Sequence, residues 1–217
     1  MKKILCLLLL LTACAKQPEP VNNTPTPSQE ANVVVIPEST STKMPESKIT
    51  TSMIDDYLFL PNAIYIDCRD ATQFLNEGSI AGFINIPFYQ MIASTNEEDN
   101  TLYTMTKIKE PNNIQLGDVN SFVANYKESD DVIYSLIPQD TTVFVISTAG
   151  VESTYFLNLL LQLGYDIKNL HNVGGFSNSV ASNKAYKDLK DKKHMVYPLE
   201  TYNLKIDYSW KELTKNK

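Results

Sequence analysis

Five side chains of this sequence have types that carry chemistry: Asp67, Cys68, Arg69, Ser147 and His171. Cys68 follows an apolar run and sits one place after Asp67. It reads either as a small buried hydrophobe or as a nucleophilic or redox thiol. Asp67 and Arg69 are two apart, so they share one side of a strand that runs through them. A structural ion pair and a ligand contact by Arg69 both fit that spacing. Ser147 follows Val143-Phe144-Val145-Ile146. A serine nucleophile needs a base, for which His171 is the candidate. No Gly-x-Ser-x-Gly surrounds it, so a serine-type hydrolase is only a second alternative.

The elements that must hold these groups follow from periodicity. Thr142–Ile146 is the strongest core-strand signal. Tyr155, Phe156, Leu159, Leu160 and Leu163 then predict an amphipathic helix stopped by Gly164. Ile167–Asn172 predicts a strand ended by Gly174-Gly175, and Ala63–Ile66 a buried strand after Pro61-Asn62. Asp70 caps a helix carrying Phe74 and Leu75, which Gly78 ends. Phe83–Pro87 is another short strand. Upstream, Ile49-Thr50 reads as a strand, and Thr51 or Ser52 caps a helix with Met53, Ile54, Tyr57 and Leu58 on its apolar face. Strands alternating with helices predict an α/β fold, a parallel sheet flanked by helices, with its site at the carboxyl ends of the strands.

Composition bounds the function. The 217 residues leave room for one domain plus additions. A net charge of −6 argues against nucleic-acid binding, which needs a basic footprint. Three cysteines are too few for a disulfide scaffold, and two distant histidines do not make a zinc site. No metal and no cofactor is expected.

Residues 1–13 carry Lys2, Lys3 and the apolar run Ile4–Leu11, which is too short to span a bilayer. This is a secretory-signal pattern. Leu11-Thr12-Ala13-Cys14 resembles the bacterial lipobox, which implies cleavage before Cys14 and acylation of its thiol. The expected protein is then a cell-membrane lipoprotein on the extracytoplasmic face, with several acyl chains for stable anchoring. Loss of Lys2 and Lys3 takes the net charge from −6 to −8 and leaves Cys68 the only free thiol. Residues 14–47 hold six of the eleven prolines with many Thr, Ser, Asn and Glu. They predict a disordered tether spanning about 30–35 Å as a coil. The domain is expected over 48–217.

Ile66-Asp67-Cys68-Arg69, Phe74 and Gly78-Ser79-Ile80-Ala81-Gly82-Phe83-Ile84-Asn85-Ile86-Pro87 resemble the paired signatures of rhodanese-like domains, written I-D-V-R, E-F and G-H-I-P-G-A-I-N-I-P. Strand Val143–Ile146, loop Ser147–Ser153, Leu163-Gly164-Tyr165 and Gly174-Gly175 are similar to the second half. The resemblance covers about 48–90 and 140–177. Six of the seven glycines and the single arginine fall on family positions.

The resemblance implies a loop in which a cysteine thiolate, stabilised by backbone N–H groups and a helix N-terminus, carries sulfur as a persulfide. Here that position is Ser147, which cannot carry a persulfide. Glu152 stands where the family often has arginine, and would repel an anionic donor. Ser79 replaces a frequent histidine and Gln73 a frequent glutamate. The implied protein keeps the loop Ser147, Thr148, Ala149, Gly150, Val151, Glu152 and Ser153 as structure. It acts as a non-catalytic binding or interaction module for an unknown protein or small molecule. A sulfurtransferase or thiol-redox enzyme using Cys68 is the alternative.

Two additions depart from the family. An inserted segment of about 91–139 holds the acidic loop Asn96–Asn100, a strand over Leu102–Ile108, a helix on Val119, Phe122, Val123 and Tyr126, and a second helix after Ser129. A C-terminal β extension of about 178–217 is expected from the alternation of Tyr202, Leu204, Ile206, Tyr208 and Trp210, with His194–Leu199 as its hairpin partner.

Overall fold

The computed structural model describes residues 34–217 except 97, 108–119, 181, 205, 207 and 217. The signal, Cys14, the tether up to residue 33, Ile108 and Val119 lie outside the described residues. In chain order the elements are β1 (Ala63–Asp67), α1 (Ala71–Glu77), β2 (Ser79–Ile80), β3 (Ile84–Asn85), β4 (Ala93–Ser94), β5 (Tyr103–Lys107) and β6 (Asn120–Ala124). They continue with α2 (Ser129–Leu136), β7 (Thr142–Ser147), α3 (Val151–Gln162), β8 (Leu170–Gly175) and β9 (Met195–Val196). Among the described residues no helix is long and apolar enough to cross a membrane.

The fold is α/β. A four-stranded sheet runs β3-β1-β7-β8, all parallel. Its central strands alternate between two cores, so the sheet is buried on both faces. Ile66, Val143 and Val145 face Phe156, Leu159 and Leu160 of α3. Tyr65, Phe144 and Ile146 face Ile54, Phe176 and Tyr186. A second sheet, β4-β5-β6, joins the first core. Gln162 at the end of α3 fastens β6 by accepting from the Phe122 N–H and donating to its carbonyl.

Sequence periodicity misassigned several elements. Residues 120–124 are a strand, not a helix. Phe122 is buried against α3 and Val123 points to water, as the pleat demands. Ile49-Thr50 forms no strand, and the turn after it is a single 3-10 turn over Ile54–Tyr57. Ile167–Asn169 is also a 3-10 turn, so β8 starts at Leu170 and includes both glycines. Met195–Val196 pairs antiparallel with β2 rather than with 202–210. The described residues of 202–210 form no strand. The chain there is held by side chains: Asn76 bonds both the N–H and the carbonyl of Tyr202, and Thr72 donates to the Leu204 carbonyl.

The tether boundary also moves. Residues 34–47 lie on the domain. The Ser39 N–H donates to the Lys168 carbonyl at 2.9 Å. Thr42 Oγ1 donates to Asn158, and the Thr42 carbonyl accepts from Asn172. Met44 is 3% exposed and covers Gly174, where an added Cβ would lie 2.9 Å from its sulfur. Met44→Ala is therefore expected to lower the unfolding free energy by about 2–3 kcal/mol in a urea titration. A solvated tether residue would change it by less than about 0.5 kcal/mol.

Candidate functional site

The carboxyl ends of β1, β7 and β8 bring the sequence candidates together. Asp67 ends β1, and Cys68 and Arg69 follow it. Ser147 ends β7, pairs with Gly175 at the end of β8, and opens the loop into α3. His171 is the exception.

Arg69 and Asp67 form a buried pair with neither side chain exposed. The guanidinium donates to Asp67 through Nε at 2.9 Å and Nη2 at 2.6 Å, and Nη2 also donates to the Gly78 carbonyl at 2.7 Å. Its plane lies 3.6 Å from the Phe176 ring centroid. Nη1 has no hydrogen bond and stands 3.6 Å from Glu77 Oε2. Glu77 in turn accepts from Ser177. Of the two readings left open by spacing, the structural pair is what the geometry holds.

The loop after β7 is filled by its own chain. Ser147 is fully buried, and its Oγ accepts the Gly150 N–H at 2.8 Å. Gly150 sits at φ +81, a left-handed turn that turns its N–H back toward the serine. The Gly150 carbonyl accepts from Asn172 Nδ2 and Thr154 Oγ1. The Ser147 carbonyl accepts from the Phe176 N–H at 2.7 Å, and the Thr148 carbonyl from the Asn178 N–H at 2.9 Å. Thr148 Oγ1 donates to Gln73. At Gly175 an added Cβ would lie 2.0 Å from the Asn178 carbonyl oxygen, so segment 176–178 rests directly on the loop. Ala149 and Val151 are partly buried at the turn, and Ser153 is fully buried.

Glu152 lies in the first turn of α3, where a carboxylate is stabilised by the helix N-terminus. Its Oε2 is buried without a hydrogen-bond partner. Ser153 Oγ is 3.9 Å from Cys68 Sγ. Burial, reinforced by the charges of Glu152 and Asp67, pushes the Cys68 thiol well above the ordinary thiol range. Burial and Glu152 likewise push Tyr89 up to about 12. The thiol is therefore protonated and enclosed at neutral pH, a poor nucleophile.

His171 is far from Ser147. It pairs with Phe144 near the start of β8, three places before Ser147 along β7, or about 10 Å. An odd offset also puts the two on opposite faces of the sheet. Its ring stacks on Phe144 at 5.0 Å, and Nε2 has no partner. His171 is therefore not the base that Ser147 would need, and no Ser147–His171 pair is assembled.

Sequence reading missed four residues around the loop: Thr42, Met44, Thr154 and Asn172. Asn172 carried a signal, as an amide inside an apolar strand just before two glycines. Its Nδ2 meets the carbonyls of Thr42 and Gly150, and its Oδ1 accepts the Gly174 N–H. Among the described residues no cluster of His, Cys, Asp and Glu is arranged to hold a metal ion.

Burial, with Lys48 nearby, lowers the His171 pKa from 6.5 to about 4. A depressed histidine contributes stability that is complete above pH 6.5 and is lost as pH falls toward 4, because only the unfolded chain takes the proton. The native protein should lose about 3 kcal/mol across that window from this group alone. His171→Leu should flatten the profile there while leaving the carboxylate-driven loss below pH 4. Chemical denaturation at stepped pH reads the difference between the two proteins.

No protein-family model, no curated protein and no solved structure matches this chain.

Proposed function

We propose that this chain is a membrane-anchored, extracytoplasmic, rhodanese-like protein that lacks sulfurtransferase activity and serves as a binding or interaction module. The observation that carries the reading is the state of the loop after β7. The position that needs a thiol holds Ser147, whose hydroxyl is buried and accepts the Gly150 N–H. In a working persulfide loop the amide groups are left free for an anion. Here one amide is taken by the serine, and Glu152 already brings negative charge to the helix N-terminus. A thiosulfate-like donor would meet a carboxylate and no nucleophile.

The Cys68 alternative is less well supported, since that thiol is 2% exposed and held protonated. The serine-hydrolase alternative lacks a base beside Ser147.

Two measurements test the proposal. Purified protein should transfer no sulfur from thiosulfate to cyanide above the buffer rate. Turnover that disappears in Cys68→Ser would move the assignment to the Cys68 enzyme. For the anchor, Cys14→Ser should move the protein from the high-salt-washed membrane pellet of producing cells to the soluble fraction. A variant that stays in the pellet after a high-salt wash would remove the lipobox reading.

A further inference from the structure

On the face opposite α3, the segment 184–199 carries two features the loop does not explain. The first is an exposed apolar group. Phe59 takes φ +60, a conformation that costs a bulky residue of order 1–3 kcal/mol. Burial does not offset this, because the residue is 62% exposed. Its ring meets the His194 ring edge-on at 5.4 Å. Directly after His194 come β9 and the turn beyond it, where Val196, Tyr197 and Leu199 are all exposed, Leu199 at 97%. β9 is held by its pairing with β2, and the His194 carbonyl accepts from the Ala81 N–H, so Val196 stands on a fixed strand from which Tyr197 and Leu199 follow.

The second feature is positive charge around a cavity. Residues 184–193 hold five lysines against Asp188 and Asp191, a local +3 in a chain of −6. The neighbouring Asp55, Asp56 and Glu77 offset it overall: Lys193 lies 4.0 Å from Asp56 and Lys187 3.9 Å from Glu77, which leaves the lysines of the cavity itself. Both Asp55 oxygens are already engaged, by the Tyr186 hydroxyl and the Lys193 N–H. A cavity of about 220 Å³ opens here, lined by Lys184, Lys190 and Lys192 with the hydroxyl residues Thr51 and Ser52, and also by Asp55 and Asp191. Lys192 donates to the carbonyls of Lys187 and Leu189, which fixes the cavity wall. Lys193 and His194 join the cavity to the apolar group within two residues.

Aromatic and aliphatic side chains in water beside lysines are the composition of an interfacial membrane contact. The geometry points to a docking face for an anionic phospholipid surface. A headgroup phosphate enters the lysine-lined cavity, and Phe59, Val196, Tyr197 and Leu199 enter the headgroup layer. The contact does not depend on acylation of Cys14.

Residues 14–217 carrying Cys14→Ser test this without the lipid or the apolar signal; the packed unit begins at Val34 and is left whole. The protein is sedimented at low salt with vesicles of phosphatidylcholine, or of phosphatidylcholine and phosphatidylglycerol in equal parts. Binding to the anionic vesicles is expected to be at least about tenfold tighter. Lys184→Glu, Lys190→Glu and Lys193→Glu together should abolish that difference. Phe59→Ser with Leu199→Ser should weaken binding to both vesicles. All five positions are exposed, and far-ultraviolet circular dichroism verifies the fold. Equal binding to the two vesicles, or an unchanged lysine variant, would overturn the proposal. So would inorganic phosphate that raises the melting temperature while the vesicles bind nothing, which would mark a free-anion site. None of these outcomes alters the cell-fractionation result for Cys14→Ser, so the two readings fail separately.

Discussion

The buried Asp67–Arg69 pair is the constraint around which the carboxyl end of the sheet is arranged. One guanidinium, on the only arginine of the chain, bonds the end of β1, the Gly78 carbonyl that closes α1, and the ring of Phe176 beyond β8. A charge without water is tolerated only when its partners are supplied by the protein. Here they come from three separate parts of the chain. That requirement fixes where α1 ends and where the segment after β8 must return. Phe176 has to lie over Arg69, and from there its N–H reaches the Ser147 carbonyl. The closing of the loop is thus a consequence of satisfying one arginine.

The loop after β7 is filled from within. Gly150 turns its N–H onto Ser147, and Asn172 holds the Gly150 carbonyl from below. The Thr42 carbonyl reaches the same amide from a segment far away in sequence. Met44 then covers Gly174. Each bond satisfies a polar group that would otherwise be buried without a partner, at a cost of about 1–3 kcal/mol. Opening the loop to admit a ligand would require breaking several of them at once.

Local signals were legible wherever chemistry is local. Asp70 accepts the Thr72 N–H as a helix cap, and Gly78, Gly82, Gly150, Gly164 and Gly174 take the positive φ that only glycine adopts easily. Failures came where a neighbour decides the conformation. Val119, Phe122, Val123 and Tyr126 have helical spacing, yet residues 120–124 find a waiting edge at β5 and pair with it. Tyr202 and Leu204 belong to a stretch with strand alternation, but their neighbour is α1, whose backbone groups are already used within the helix. Side chains such as Asn76 and Thr72 bond them instead, and the described residues of 202–210 form no ladder. Residues 34–47 look like solvated linker because few of them are apolar. Composition does not reveal that their carbonyls complete a buried amide.

The candidate site was legible in its membership, since Asp67, Cys68, Arg69 and Ser147–Ser153 do converge, and illegible in its electrostatics. Cys68 neighbours Ser153 in the first turn of α3, and a helix N-terminus by itself lowers a thiol pKa. Two larger effects oppose that. Burial removes the water that would solvate a thiolate, and Glu152 places a negative charge in the same first turn. A carboxylate that complements the helix end uses up the stabilisation that a thiolate would need. Glu152 therefore disfavours thiolate chemistry at Cys68 as well as anion binding in the loop. Exchanging Ser147 for cysteine alone would put a thiol into the loop without removing that charge.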